Sequence, residues 1–204
     1  MSGPEIFTFE QGSEEWRKAR LGIPTASEFA SILAKGEGKV RRTYMMKLIG
    51  EVLTGEPAER YSNAHMERGH EMEADARNLY AFRLDVDPLQ VGFIRNGDQG
   101  CSPDSLVGDE GMCEIKTKLP HIQAEVLLSG RVPPEHMAQL QGNLWVADRG
   151  WIDFVSYWPR MPLFVKRVYR DEAYIERLEK EVGLFVREMR TLLAVLQGEE
   201  LKVA

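Results

Sequence analysis

The chain has 204 residues, 43% apolar and 28% charged, which suits one globular unit, or at most two small ones, able to close a core without staples. Mean hydropathy is −0.34; no apolar run nears the roughly 20 residues that cross a bilayer, and Met1–Glu10 lacks the basic-then-apolar order of a secretory leader. Cys101 and Cys113 are too few for a disulfide framework, and no Cys or His cluster has zinc-ribbon spacing. A membrane span, a disordered chain, a stapled secreted domain and a zinc module are therefore excluded, and a reducing cytoplasm is the expected home.

The formal charge is −6, with a pI near 5.4. That balance argues against a simple nucleic-acid coat protein. It does not argue against an enzyme that uses divalent cations, because a bound metal reverses the local sign of a carboxylate cluster. Lys35, Lys39, Arg41, Arg42 and Lys47 crowd one stretch against Glu37; by itself this reads as a solvated loop.

In chain order, Ser13–Arg20 reads as a short helix with Trp16 inward. Thr25 followed by Glu28 predicts a capping box opening the next helix, with Phe29, Ile32 and Leu33 on its apolar face. Gly36 and Gly38 break it. Tyr44–Leu53 is helical, and so is Ala64–Leu84, interrupted by Gly69. After a turn at Asp87-Pro88, Val91–Ile94 reads as a strand and Asn96-Gly97 as a turn. Cys101–Val107 is a second strand whose Pro103 implies a bend or an edge. Met112–Thr117 is a third, with Glu114 and Lys116 on one face by alternation. Helices over Pro120–Ser129 and Pro134–Val146 follow, then strands at Trp151–Trp158 and Phe164–Val168. A final amphipathic helix starts at Asp171-Glu172 and carries Tyr174, Ile175, Leu178, Val182, Phe185, Met189 and Leu193 inward. There is no repeat, low-complexity tract or linker. The expectation is one mixed α/β domain over residues 1–204, with a central mixed sheet flanked by helices.

Asp104, Glu114 and Lys116 carry the chemical signal. Phosphodiester hydrolysis needs carboxylates to hold hard cations, a water made nucleophilic, and relief of the charge gathering on phosphorus. Acids on adjacent strands supply the first, and a lysine on the same face can orient the water or accept its proton once nearby cations depress its pKa. Those three residues alone equally describe a salt-bridged pair on an exposed strand. The helix bearing Glu71, Glu73 and Asp75 offers a third carboxylate, and Gln139 and Gln141 sit in an apolar helix where an amide can position a water, lysine or phosphate.

Five ordered segments are more specific: Arg20–Glu28, Gly69 through Arg77, Cys101–Asp104, Glu114-Ile115-Lys116, and Met137–Gln141 with Trp145. Together they resemble the PD-(D/E)xK nucleases, and within them the phage lambda exonuclease and YqaJ-type viral recombinase family, from about Gln11 to the last helix. The resemblance implies a restriction-endonuclease-like core and a metal-dependent exonuclease that degrades one strand of linear duplex DNA from its 5′ end, leaving 3′ tails for single-strand annealing. It implies two Mg²⁺ per site, replaceable by Mn²⁺, held by Glu73, Asp104, Glu114 and the Ile115 carbonyl. Lys116 would act on the attacking water with Gln139 beside it, and Arg20, Ser27 and Ser102 would receive the 5′-phosphate. Ser27 at a helix start and a charge-assisted Arg20 contact also suit a phosphate physically. Lys39, Arg41, Arg42 and Met66 would be DNA contacts, Met66 as an apolar wedge. The family further implies a homotrimeric ring on DNA ends, a phage annealing protein as partner, no membrane, and a bacterial host cytoplasm.

Cys101 and Cys113 are expected to be buried free thiols, Glu71 and Asp75 solvated acids, and Gln141 to point away from Gln139. His136 stands where the family carries an aromatic residue and has no partner pattern. The rival readings are a structure-specific or restriction-like endonuclease on the same core and an inactive DNA-binding accessory module.

Overall fold

The computed structural model describes residues 3–34, 38–58 and 64–198, with the side chains of 64–71 outside that description. The described chain runs β1 (Glu5–Phe7), α1 (Glu14–Ala19), a 3₁₀ turn at Ala26–Glu28, α2 (Phe29–Leu33), α3 (Lys39–Thr54) and α4 (Ala64–Leu84). Then come β2 (Pro88–Leu89), β3 (Phe93–Asn96), β4 (Gln99–Cys101), β5 (Ser105–Val107) and β6 (Gly111–Thr117). It closes with α5 (Pro120–Ser129), a 3₁₀ turn at Pro134–His136, α6 (Met137–Ala147), β7 (Trp151–Tyr157), β8 (Phe164–Tyr169) and α7 (Glu172–Leu196).

The main sheet has the order β2-β5-β6-β7-β8, and a small sheet has the order β1-β3-β4. The β6–β7 pair is parallel, with Glu114 opposite Phe154 and Lys116 opposite Ser156. Its crossover is the α5–α6 pair, as parallel strands require. The remaining ladders are antiparallel. The mixed α/β expectation is therefore met.

The main sheet is covered on both sides. Met112, Ile152 and Phe154 face the larger core, built with α2, α3, α6 and α7. Cys113, Ile115 and Val155 face the smaller one, where Ala76 and Tyr80 of α4 pack. Two-sided burial makes Gly111–Ile115 continuously buried. Glu114 thus projects from a central strand into the interior below α6, and the pairing with Lys116 is not the exposed one that the three residues alone also allowed.

Several local expectations change. Pro103 divides one expected strand into β4 and β5, which belong to different sheets, because a proline cannot donate to a ladder. Thr25 makes no capping bond; its N–H donates to the Tyr44 hydroxyl at 3.1 Å, and Glu28 instead accepts from Ser31. Tertiary partners override the local capping pattern. Ser27 accordingly sits in a 3₁₀ turn ahead of a five-residue helix. Lys39, Arg41 and Arg42 lie in the first turns of α3 and not in a loop. Arg41 pairs with Glu188 of α7 at 2.6 Å and lies over the Phe185 ring. It bridges two helices. Met66 lies outside the described side chains. Cys101 and Cys113 are buried and free, and Asp75 is exposed.

Candidate active site

The bend at Pro103 brings Asp104 alongside β6, where its Oδ2 accepts from the Ile115 N–H at 2.5 Å. This bond fixes one acid against the backbone between Glu114 and Lys116. Glu114 is 2% exposed. Its Oε1 accepts from Lys116 Nζ at 2.7 Å and from Gln139 Nε2 at 2.6 Å, and its Oε2 from Asn143 Nδ2 at 3.0 Å. Gln139 and Asn143 are four apart on α6, so they share one helix face over the carboxylate. Gln139 therefore holds Glu114 directly, not Lys116 alone. Gln141 turns away, donating to the Tyr169 carbonyl and accepting from the Asp171 N–H.

Glu73 arrives from α4 and is ion-paired with Arg77 one turn on. Arg77 also donates to Ser105 Oγ at 3.1 Å, and that hydroxyl donates to the Asp104 carbonyl at 2.6 Å. One arginine thereby ties the helix acid to the segment carrying the strand acid. The sequence reading assigned no role to Asn143 or Ser105 and named Arg77 only as the end of a matching segment, although Asn143 at i+4 from Gln139 and Arg77 at i+4 from Glu73 are spacings that signal a shared face.

The electrostatics are those of crowded carboxylates. Burial, then Glu114, then Glu73 push the Asp104 carboxyl well above its ordinary value, against the opposing pull of Lys116 and the Ile115 N–H. For Lys116, burial lowers the pKa, but Glu114, Asp104 and Glu73 together outweigh it and leave it raised. With protein groups alone the lysine is a cation, contrary to the neutral form expected for a base. Among the described residues no group of three acidic, His or Cys side chains stands ready as a ligand array. The physical reason is visible: Glu73 is turned to Arg77, and Glu114 to Lys116 and two amides. The donor chemistry still fits a hard divalent cation, since oxygen ligands concentrate around an Asp104 that resists ionisation for want of positive charge.

A second polar site joins α1, the 3₁₀ turn and the β4–β5 bend. Ser102 Oγ accepts from Arg20 at 2.9 Å and from the Trp16 indole at 3.0 Å. The Arg20 guanidinium lies 4.0 Å over the Trp16 ring, and burial pulls its pKa down from the usual arginine value. Among the described residues no carboxylate approaches it within ion-pair distance, so it is a shielded cation without an anion. Gly100 donates to the Pro24 carbonyl at 3.0 Å, which sets the Ser27 turn beside this bend. Ser27 itself is exposed and lies 3.3 Å from the Thr25 hydroxyl; Arg20 and Ser102 touch each other directly, and Ser27 contacts neither.

This mixed sheet, with Glu114 and Lys116 on its central strand β6 and Asp104 at the bend entering β5, is a restriction-endonuclease-like fold. The YqaJ-like viral recombinase domain matches residues 15–150. The alkaline exonuclease (LHK-Exo) from Laribacter hongkongensis is 37% identical with TM-score 0.84, over 94% of this chain and 100% of that one. Its complex with dAMP gives 38% identity and TM-score 0.85 over the same shares. A phage-related exonuclease from Haemophilus somnus 129PT shares the fold at 15% identity, TM-score 0.65, over 85% of this chain and 96% of that one. Among curated proteins the comparison finds no match. The chain belongs to the YqaJ-like viral recombinase family.

Proposed function

We propose that this chain, as a single domain over residues 1–204, is a metal-dependent exonuclease that degrades one strand of linear double-stranded DNA from the 5′ end. One observation carries the reading: the Asp104 carboxylate, from the bend before β5, is pinned to the β6 backbone between Glu114 and Lys116, so two acids and a lysine from two segments meet at one point. Likeness to an alkaline exonuclease over nearly the whole chain supports it.

Glu73, Asp104, Glu114 and the Ile115 carbonyl would hold the cations, two Mg²⁺ per site with Mn²⁺ as a substitute. Bound there, the metal supplies Lewis-acid activation of water and charge relief at the leaving oxygen. Asn143 and Gln139 keep Glu114 from rotating out of the site. Lys116 would be freed from Glu114 where that carboxylate holds a cation; with the positive charge nearby lowering its pKa it would give its own proton to solvent, and the neutral amine could then orient the attacking water and take its proton. Arg20 and Ser102 receive the terminal 5′-phosphate, with Ser27 at the rim of that pocket, and a buried arginine lacking a carboxylate gains most from such an anion. The overall acidic charge is compatible with DNA if a homotrimeric ring encloses a basic channel. Tails left with 3′ ends would pass to a phage single-strand annealing protein in a bacterial host cytoplasm. No helix among the described residues is long and apolar enough to cross a membrane.

The test uses end-labelled linear duplex, with and without a 5′-phosphate, in Mg²⁺ and then in chelator, beside a covalently closed plasmid. Mononucleotide release from the phosphorylated 5′ end, an untouched plasmid and arrest by chelator are expected. Nicking of the circle would indicate an endonuclease, and Mg²⁺-dependent digestion by Lys116→Ala would refute the role of that lysine.

A further inference from the structure

Beyond β6, Lys118 is anchored by its own N–H to the Tyr157 carbonyl at 3.0 Å. It continues the alternation of Glu114 and Lys116, two residues and about 6.6 Å of strand rise past the latter. Its Nζ lies 2.8 Å from Nε2 of His136, which precedes the helix of Gln139 and Asn143. An ammonium has donors only, so Nε2 accepts and the ring carries its proton on Nδ1. The ring is held against Phe154, centroids 5.2 Å apart, which explains how a histidine fills an aromatic position here.

The contrast with Lys116 is informative. Lys116 is held by a carboxylate that cancels its charge, whereas Lys118 is oriented by a neutral acceptor that leaves its charge intact. Among the described residues no carboxylate lies within 4.0 Å of Lys118 Nζ. The nearby Glu135 is largely exposed; its carboxylate comes to 4.0 Å of the imidazole and acts on Lys118 only through space, opposing the effect of burial. Burial followed by Lys118 and Lys116 keeps the imidazole neutral, down to about 4, and Lys118 itself is pulled below the usual lysine value by burial. A half-buried ammonium aimed by a neutral partner, beside a hydrolytic lysine, is built to meet an anion.

We propose that Lys118, aimed by His136, forms a subsite for a DNA backbone phosphate adjacent to the one that is cleaved. This rests on the nuclease reading above. A contact to one phosphate releases about one counterion, so its loss flattens the plot of log affinity against log salt by about 0.9. Duplex binding is measured across salt in a Lys116→Ala background with Mg²⁺, with and without Lys118→Gln. The slope is expected to fall by about 0.9, and Lys118→Arg to restore it. His136→Phe, which keeps the ring packing and removes the acceptor, lowers affinity in the same direction by a smaller factor. Duplexes carrying one neutral methylphosphonate linkage near the 5′ end locate the phosphate: one position weakens binding of the parent but not of Lys118→Gln. An unchanged slope with circular dichroism showing a folded protein, or equal loss in both proteins at every linkage, overturns the proposal. If the unmutated chain digests linear duplex, that failure removes only the subsite; if it does not digest, the nuclease reading itself has failed.

Discussion

Asn143→Ala probes how firmly the interior carboxylate depends on α6. Asn143 and Glu114 are 1% and 2% exposed, and Asn143 Nδ2 is the donor given to Glu114 Oε2. Truncation leaves that oxygen without a partner where water scarcely reaches, while Oε1 keeps Lys116 and Gln139. A hydrogen bond to a charged group contributes about 1.5–3 kcal/mol when its loss strands the partner. For a chain of this size that lowers the melting temperature by about 3–12 °C. Glu114, freer to rotate, should also hold metal less well, by about 10–100-fold for a lost ligand-orienting contact. Thermal unfolding in chelator gives the first quantity, and calorimetric titration of DNA-free protein with Mn²⁺ the second. Asn143→Asp, nearly isosteric, sets a second carboxylate against Oε2; it should be less stable than the alanine variant in chelator and regain more stability from Mn²⁺. An alanine variant that melts within 1 °C of the parent and binds Mn²⁺ equally would refute the reasoning, because Glu114 would then not rely on α6.

Asp104→Asn should raise stability in chelator at pH 8 by a few degrees while abolishing digestion. The native carboxyl has its pKa raised by burial, Glu114 and Glu73, so the folded state binds that proton more tightly than the unfolded one. Its penalty is absent below the unfolded value near 3.8, grows as pH rises towards the native value, and is complete above it. Melting curves from pH 5 to 8 should therefore converge at the acidic end, and parallel curves would contradict this. Tyr80→Phe removes a 2.8 Å bond to the buried Asp153, which keeps two bonds from Arg167; a loss of about 1.5–3 kcal/mol in urea unfolding is expected. Gly142→Ala places a Cβ 2.5 Å from the Phe29 ring and 3.1 Å from Ala26, so the Ser27 turn must shift away from α6. Destabilisation of about 1–3 kcal/mol is expected, with a weakened preference for 5′-phosphorylated ends; unchanged stability and preference would show that this contact yields freely.

The periodic signals in the sequence identified most elements: the alternation through Met112–Thr117, the helical spacing from Tyr174 to Leu193 and the proline bend before Asp104 all have their counterparts. Strand β1 was not legible, since three residues carry too little pattern and Glu5–Phe7 is ordered only by pairing with β3. The acids and lysine were legible as chemical types in order, because strand period alone puts Glu114 and Lys116 on one face.

What sequence could not supply was the third dimension of that face. Burial of Glu114 follows from β6 being central and parallel to β7, and its donors Gln139 and Asn143 arrive through the crossover helix. Thr25 loses its capping role to Tyr44, nineteen residues away, and Arg41 lies in a helix, paired with Glu188 of α7, where the sequence suggested a loop. Local sequence determined which segments are helix or strand and which residues carry charge, because those depend on neighbours along the chain. Only the tertiary structure decided which charges are buried, what partners hold them and which cations remain without an anion, because these depend on contacts between segments far apart in sequence.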